Sequence, residues 1–209
     1  TADGPFSDPA WLFELKYDRF RVLLSRDSDG RPRLFYRSGR EATDAFPELA
    51  RVLASQPYDN LIVDAEVVCL DHNARPDIHR LQKRVHRRRT IDLERAAVEY
   101  PATLYAFDIL GFEDFDLRTL PLVERKRLLK LVLPSNGPLR YSDHVEERGE
   151  ELFAQIKAMD LEGVMAKRAS SSYQAGRSAD WKKVVFDRTG DFVIVGFTWP
   201  KNSRTGLGG

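Results

Sequence analysis

Along most of this chain, apolar and polar residues alternate in short runs. Trp11-Leu12-Phe13 leads through Glu14-Leu15-Lys16-Tyr17-Asp18-Arg19-Phe20-Arg21 into Val22-Leu23-Leu24, the pattern of extended chain at a sheet edge. Alternate side chains of extended chain share a face, which puts Glu14, Lys16 and Asp18 on one side and Leu15 and Tyr17 on the other. Val22–Arg26 and Arg33–Tyr36 flank the turn signature Asp27-Ser28-Asp29-Gly30 and predict a hairpin. Asn60–Leu70, Ala102–Leu110, Glu162–Lys167, Trp181–Phe186 and Asp191–Thr198 read as further strands. Helical spacing appears in three places. Thr43 would cap a helix carrying Phe46, Leu49, Val52 and Leu53 on one face. Thr119–Leu133 has Pro121 in its first turn and Leu128, Leu129 and Val132 facing inward, and Glu146–Met159 is the third. Strands and helices alternate irregularly, with hairpins, so an α+β fold is expected rather than a doubly wound parallel sheet.

Composition narrows the class. The 209 residues suffice for one large domain, or one domain and a fragment of a second. With 33 basic and 32 acidic residues the net charge is +1, which excludes a chain that is basic throughout but leaves local patches open. No run approaches the about 18 apolar residues of a membrane helix, and Thr1-Ala2-Asp3-Gly4-Pro5 lacks the start of a signal peptide. The single cysteine, Cys69, sits among apolar neighbours and reads as a small buried hydrophobe. A cytoplasmic protein is expected.

Charge placement changes the picture more than charge balance does. Lys16, Glu66, Asp108, Glu162, Lys167 and Lys183 interrupt apolar strands far apart in sequence, and charges of both signs in such places need partners or a ligand. Lysines around a phosphate, with acids to hold Mg²⁺, are the kit of phosphoryl and nucleotidyl transfer. Lys16 between two carboxylates is either an ion-paired strand residue or a positioned nucleophile. The basic stretch from Arg80 to Arg89 is either a solvated helix face or a mobile segment, or a contact for phosphates. A P-loop and a protein-kinase catalytic loop are both absent from the sequence, and scattered histidines support no zinc site.

Lys16-Tyr17-Asp18-Arg19-Phe20-Arg21 resembles the Lys-x-Asp-Gly-x-Arg motif of the covalent nucleotidyltransferases: ATP-dependent DNA ligases, RNA ligases and capping enzymes. Further matches follow in the family's order: Arg37-Ser38-Gly39-Arg40, Asp64-Ala65-Glu66, Tyr105-Ala106-Phe107-Asp108, Leu120–Lys126, Glu162–Lys167 and Trp181-Lys182-Lys183. The chain is most similar to the adenylation domain of bacterial end-joining DNA ligases. The resemblance implies a nucleotidyltransferase (ATP-grasp-like) domain over residues 1–187, built of antiparallel sheets flanked by helices. Residues 188–209 look like a linker and the first strand of an incomplete OB-fold, as in a truncated chain or a solitary catalytic domain.

The same resemblance implies roles. Lys16 would attack the α-phosphate of ATP, with Asp18 orienting it. Glu14 would face the adenine amino group, Phe107 would stack on the base, and Leu15, Arg21, Arg37, Glu66, Lys167 and Lys183 complete the nucleotide-binding set. Glu66 and Glu162 would hold Mg²⁺ or Mn²⁺. Arg40, Arg84, Arg87, Arg88 and Arg125 would contact nicked double-stranded DNA, and end-joining or repair proteins are expected partners of a bacterial, nucleoid-associated enzyme. Two positions depart from the pattern: Arg19 replaces the motif glycine and Val185 a motif lysine, and each would slow adenylation. An RNA ligase or capping-type enzyme, or a degenerate domain that binds nucleotide or DNA without efficient catalysis, are the alternatives.

Overall fold

The long apolar runs become the inner strands of two sheets. The computed structural model describes residues 2, 4–17, 20–85, 89–133, 137–186, 193 and 196. Its strands and α-helices, in chain order, are β1 (Asp8–Leu15), β2 (Phe20–Arg26), β3 (Pro32–Tyr36), α1 (Pro47–Ala54), β4 (Leu61–Cys69), α2 (Ile78–Val85), α3 (Thr90–Glu99), β5 (Ala102–Phe112), β6 (Phe115–Asp116), α4 (Leu122–Val132), β7 (Leu139–Tyr141), β8 (His144–Glu147), α5 (Gly149–Ala158), β9 (Gly163–Arg168) and β10 (Trp181–Val185).

One sheet runs β10-β9-β1-β8 and is antiparallel throughout; the other runs β3-β2-β4-β5-β6, with β7 joining β5 in parallel. This is the expected α+β arrangement. Strands β4 and β5 carry the near-continuous apolar runs because both of their faces are covered: Leu61, Val63, Ala65, Val67, Val68 and Cys69 are all buried. They anchor the larger core, which α1 and α4 complete with Leu49, Leu53, Leu129 and Val132. A smaller core under the first sheet joins Trp11, Phe13, Ile156, Val164, Ala166 and Val184. At Gly149 a side chain would collide with the Phe6 carbonyl and the Phe13 ring, so glycine lets α5 close onto β1.

The opening stretch differs from its sequence reading. It is not one edge strand. β1 lies inside its sheet between β8 and β9, ends at Leu15, and the chain enters the other sheet at Phe20. Lys16 therefore stands where the chain crosses from one sheet to the other. Thr43 does not cap α1; its hydroxyl accepts from the Leu34 N–H at 3.0 Å and bonds Glu41 at 2.8 Å, in a 3₁₀ turn before Pro47 starts the helix. The third helix starts at Gly149 because His144–Glu147 pairs with β1 instead. Helix α3 and strands β6 and β7 were not anticipated. Asp18, Arg19, Arg87 and Arg88 lie outside the described residues, as do most of residues 187–209, including the expected OB-fold start.

Candidate active site

Opposed faces of the two sheets flank a cleft. The first sheet supplies Glu14 and Leu15 from β1, Met165 and Lys167 from β9 and Trp181 from β10; the second supplies Arg21 from β2, Glu66 from β4 and Phe107 from β5, with Lys16, Tyr17 and Ser142 completing the wall. Seven of the residues singled out from sequence (Glu14, Leu15, Lys16, Arg21, Glu66, Phe107 and Lys167) thus meet in one place. Phe107 packs edge-on against Trp181 at 5.7 Å between ring centres. The Lys167 ammonium lies 4.2 Å and 4.4 Å from the two rings, and the Arg21 guanidinium 5.5 Å and 5.6 Å.

Lys16 also lines a second, more open cleft with Glu162, Lys183, Val185, Arg75 and His79. Its ammonium bonds the Glu162 carboxylate and its backbone N–H donates to the Gly163 carbonyl at 2.9 Å. Gly163 adopts φ +152, and a side chain there would run into the Val184 carbonyl, so glycine allows β9 and β10 to meet behind Glu162. Lys183 and Val185 line this cleft together, as expected for residues two apart on a strand. On the other side of Lys16, the Tyr17 ring stacks on Tyr105 of β5 at 4.3 Å and 15°, tying the crossover segment to the second sheet.

The closed end of the inner cleft is a buried ion cluster. Glu14 accepts from the Lys126 ammonium at 2.7 Å through Oε1, and through Oε2 from the Lys167 ammonium at 2.9 Å and the Ser142 hydroxyl at 3.3 Å. Lys126 also donates to the Ser142 carbonyl at 2.9 Å. Burial pushes the Lys126 ammonium down to about 8, with the Lys167 charge adding to the effect. Burial alone would raise the Glu14 carboxyl, but the two ammonium groups outweigh it and hold Glu14 below its ordinary value, hence ionised.

Arg21 reaches Asp64 with two bonds, 2.9 Å and 2.6 Å, and the Tyr173 hydroxyl donates to the same carboxylate at 2.9 Å. Burial and the Asp64 charge push the Tyr173 hydroxyl up to about 12. Arg21, Asp64 and Tyr173 open onto a third depression that Arg37 lines; Arg40 is exposed beside it, over the Tyr36 ring at 5.0 Å.

Two expected DNA contacts are corrected. Arg84 is fully buried, held by Glu48 through both guanidinium nitrogens and by the Tyr100 and Ala45 carbonyls at 2.9 Å each. Arg125 is likewise fully buried, with a two-pronged bond to Asp108 at 2.7 Å and 2.8 Å and contacts to the Leu120 and Ser171 carbonyls. Neither side chain reaches the surface. Helix periodicity carried the signal: Arg84 is three residues after Leu81, and Leu122, Arg125, Lys126, Leu129 and Val132 share one face of α4. The sequence reading missed Lys126, Ser142, Tyr173 and Trp181 as parts of the site. Lys126 had a local signal in its place on that inward face, and Lys126 and Trp181 both lie in segments that the resemblance had matched.

A sequence profile described as "ATP dependent DNA ligase domain" matches residues 5–184. The multifunctional non-homologous end joining protein LigD of Pseudomonas aeruginosa is 37% identical over 201 residues, covering 95% of this chain and 23% of that protein. A probable DNA ligase of Streptomyces avermitilis is 34% identical, covering 94% of this chain and 39% of its own length. This chain therefore spans between about a quarter and two-fifths of these curated relatives. Among solved structures, the ligase domain of M. tuberculosis LigD superposes with a TM-score of 0.72 at 31% identity, over 88% of this chain and 56% of that one. A mycobacterial DNA ligase D complexed with ATP and MES gives 0.71 at 29% identity, over 86% and 56%. The chain belongs to the ATP-dependent DNA ligase domain family.

Proposed function

We propose that this chain is the adenylating unit of a DNA strand-sealing enzyme and that Lys16 is its nucleophile. The carrying observation is the position of Lys16 at the sheet crossover, between an inner cleft walled by aromatic rings and a carboxylate and an outer cleft bearing Glu162 and Lys183. The base would enter the inner cleft against Phe107 and Trp181, with Glu14 accepting from the adenine amino group. An acceptor-only carboxylate favours that edge over the carbonyl of guanine. The phosphates would then lie across Lys16 toward Lys183. The Lys16 nitrogen, after losing its proton, bonds the α-phosphorus while the α–β anhydride breaks and pyrophosphate leaves with the electron pair. AMP passes next to the 5′-phosphate of nicked duplex DNA, and a 3′-hydroxyl displaces it.

Lys167 would contribute to phosphate binding only by leaving Glu14, whose carboxylate it bonds here. Glu162 and Glu66 suit a divalent cation carried in with the nucleotide. Among the described residues no three acidic, histidine or cysteine side chains are grouped to hold a metal, so phosphate oxygens would supply the remaining ligands. Among the described residues, Arg40 remains exposed of the arginines expected to contact DNA, with the exposed Arg37 near it. An adenylation domain over residues 1–187, then a linker and the start of an OB-fold over 188–209, in a bacterial cytoplasmic enzyme working with end-joining proteins, completes the reading. No described helix is long and apolar enough to cross a membrane.

The deciding experiment is the intact mass of the protein before and after ATP and Mg²⁺, in parallel with Lys16→Ala. The expected result is a gain of one AMP that the variant loses. No adduct on either this chain or one extended through an OB-fold would overturn the enzyme reading in favour of a nucleotide-binding domain without catalysis.

A further inference from the structure

Lys126 lies on α4, in the segment Leu120–Lys126, and projects from the far side of the cleft wall into the Glu14 cluster. An ionised carboxylate has about four acceptor sites. Among the described residues three are used on Glu14: Oε1 by Lys126, and Oε2 by Lys167 and Ser142. Oε2 is the oxygen on the cleft side, since Lys167 and Ser142 both line the cleft and Lys126 does not. Lys126 is itself oriented by the Ser142 carbonyl and stands over the Tyr141 ring at 4.6 Å, so an ammonium with no route to solvent has a single pose. Lys167 is oriented differently: its ammonium also faces the Phe107 and Trp181 rings that line the cleft. One cation thus touches the cleft and the other braces the carboxylate from behind.

We infer that Lys126 is a positioning residue that selects the base: by bonding Oε1 of Glu14 from behind it fixes the carboxylate so that Oε2, on the cleft side, is an acceptor for an exocyclic amino group and a repellent for a carbonyl when Lys167 turns to the nucleotide. This rests on the proposed placement of the base in the inner cleft. A second consequence follows from charge. With Lys126 present, Glu14 stays neutralised when Lys167 turns to the nucleotide; without it, Lys167 is the only described cation left to pair the buried carboxylate.

The test is equilibrium dialysis of ATP and GTP against the whole 209-residue chain without divalent metal, so that binding is read without chemistry. Adenylation rates at saturating ATP with Mg²⁺ are measured alongside. Lys126→Met keeps the length and removes the charge. Its ATP affinity is expected to fall about tenfold while GTP affinity holds or rises, the usual scale for a disturbed buried polar contact. The saturated adenylation rate is expected to fall far less. Equal weakening for both nucleotides, or an unchanged ATP:GTP ratio, would make Lys126 a packing residue and overturn the inference. If Lys126→Met does not fold, Ser142→Ala decides, since it removes one bond to Glu14 and leaves both ammonium groups; a fall of roughly threefold in the ATP:GTP ratio supports the inference, and an unchanged ratio sinks it. The two proposals fail separately. A chain that never forms an AMP adduct but loses ATP preference in Lys126→Met keeps the inference and loses the enzyme; an adduct with selectivity indifferent to Lys126 does the reverse.

Discussion

Arg84 and Lys126 are both buried cations, both project from helices, and both pair with a glutamate from elsewhere in the chain. Their surroundings differ in one respect. The Arg84 guanidinium faces no described cavity: the Tyr100 and Ala45 carbonyls and Glu48 hold its two terminal nitrogens, and its buried Nε is left without a partner among the described residues. The partly exposed Glu48 also accepts from the Ala102 N–H at 3.0 Å. The Glu14 cluster opens on one side into the cleft. Burying ions is costly unless every donor and acceptor is matched. A closed cluster spends its charges on joining α1, α2 and the start of β5. An open one leaves an acceptor facing a cavity, which is what a ligand can use. The distinction between structural and functional charge lies in that opening, and charge, burial and pairing alone do not reveal it.

The largest effect expected is on the closed side. Arg84→Met leaves Glu48 without its counter-ion and should cost about 3–5 kcal/mol of stability, the range for breaking one partner of a buried pair. Denaturant unfolding measures it. Adenylation per folded molecule should stay at the wild-type level; a selective loss of adenylation with stability intact would erase the difference between the two clusters.

Much of this was legible because burial on two faces leaves a plain signature: β4 and β5 were read from apolar runs, and Glu66 among the acids that interrupt them lines the cleft, whereas Asp108 pairs with Arg125 in the interior. Glu14, Lys16 and Lys167 were placed together by the motif resemblance rather than by strand periodicity, since β1 ends at Leu15 and both Leu15 and Tyr17 line the cleft with them. What failed was of two kinds. Arg84 was assigned to DNA from the basic stretch around it and Arg125 from the motif resemblance, although their helical spacing put them on core faces. Tyr173 was missed because its partner, Asp64, lies more than a hundred residues away and no local pattern records the contact. The place of Lys126 on the inward face of α4 showed that it is buried but not that Glu14 is its partner. Short strands such as β7 draw their pairing from β5 rather than from their own residues. The hairpin-like continuity from Trp11 to Leu24 concealed the switch between sheets at Lys16 because extended chain looks the same on either side of it.

A smaller effect is expected at the half-open pair. Asp64→Asn removes the charge that aims Arg21 while keeping shape and leaving the Tyr173 hydroxyl a partner. Because the Arg21 side chain still reaches solvent, stability should fall by about 1–2 kcal/mol, less than for Arg84→Met. Nucleotide binding should weaken roughly tenfold, through the loss of an oriented cation at the cleft wall. Thermal unfolding and ATP binding on one preparation compare the two readouts. A stability loss as large as that of Arg84→Met with unchanged ATP affinity would place Arg21 and Asp64 with the closed clusters.

The smallest effect concerns a charge the cleft lacks. Val185 shares its strand face with Lys183 and lines the same open cleft as Lys16 and Glu162. Being in an open cleft, a lysine there would keep its ammonium near water and add attraction for a polyphosphate without a desolvation penalty of the Arg84 kind. Val185→Lys should therefore leave stability near that of the parent and speed adenylation at limiting ATP. The gain should be about 1 kcal/mol or less, the scale of a solvent-accessible charge contact, or roughly fivefold in rate. Lys183→Met should act in the opposite direction by a similar factor. Raising the salt concentration should shrink both effects, since exposed charges are screened, but should leave the Lys126-dependent choice between ATP and GTP unchanged. A Val185→Lys gain that persists in high salt would mean that the outer cleft closes over its ligand, and would move Lys183 from the open class of charges to the closed one.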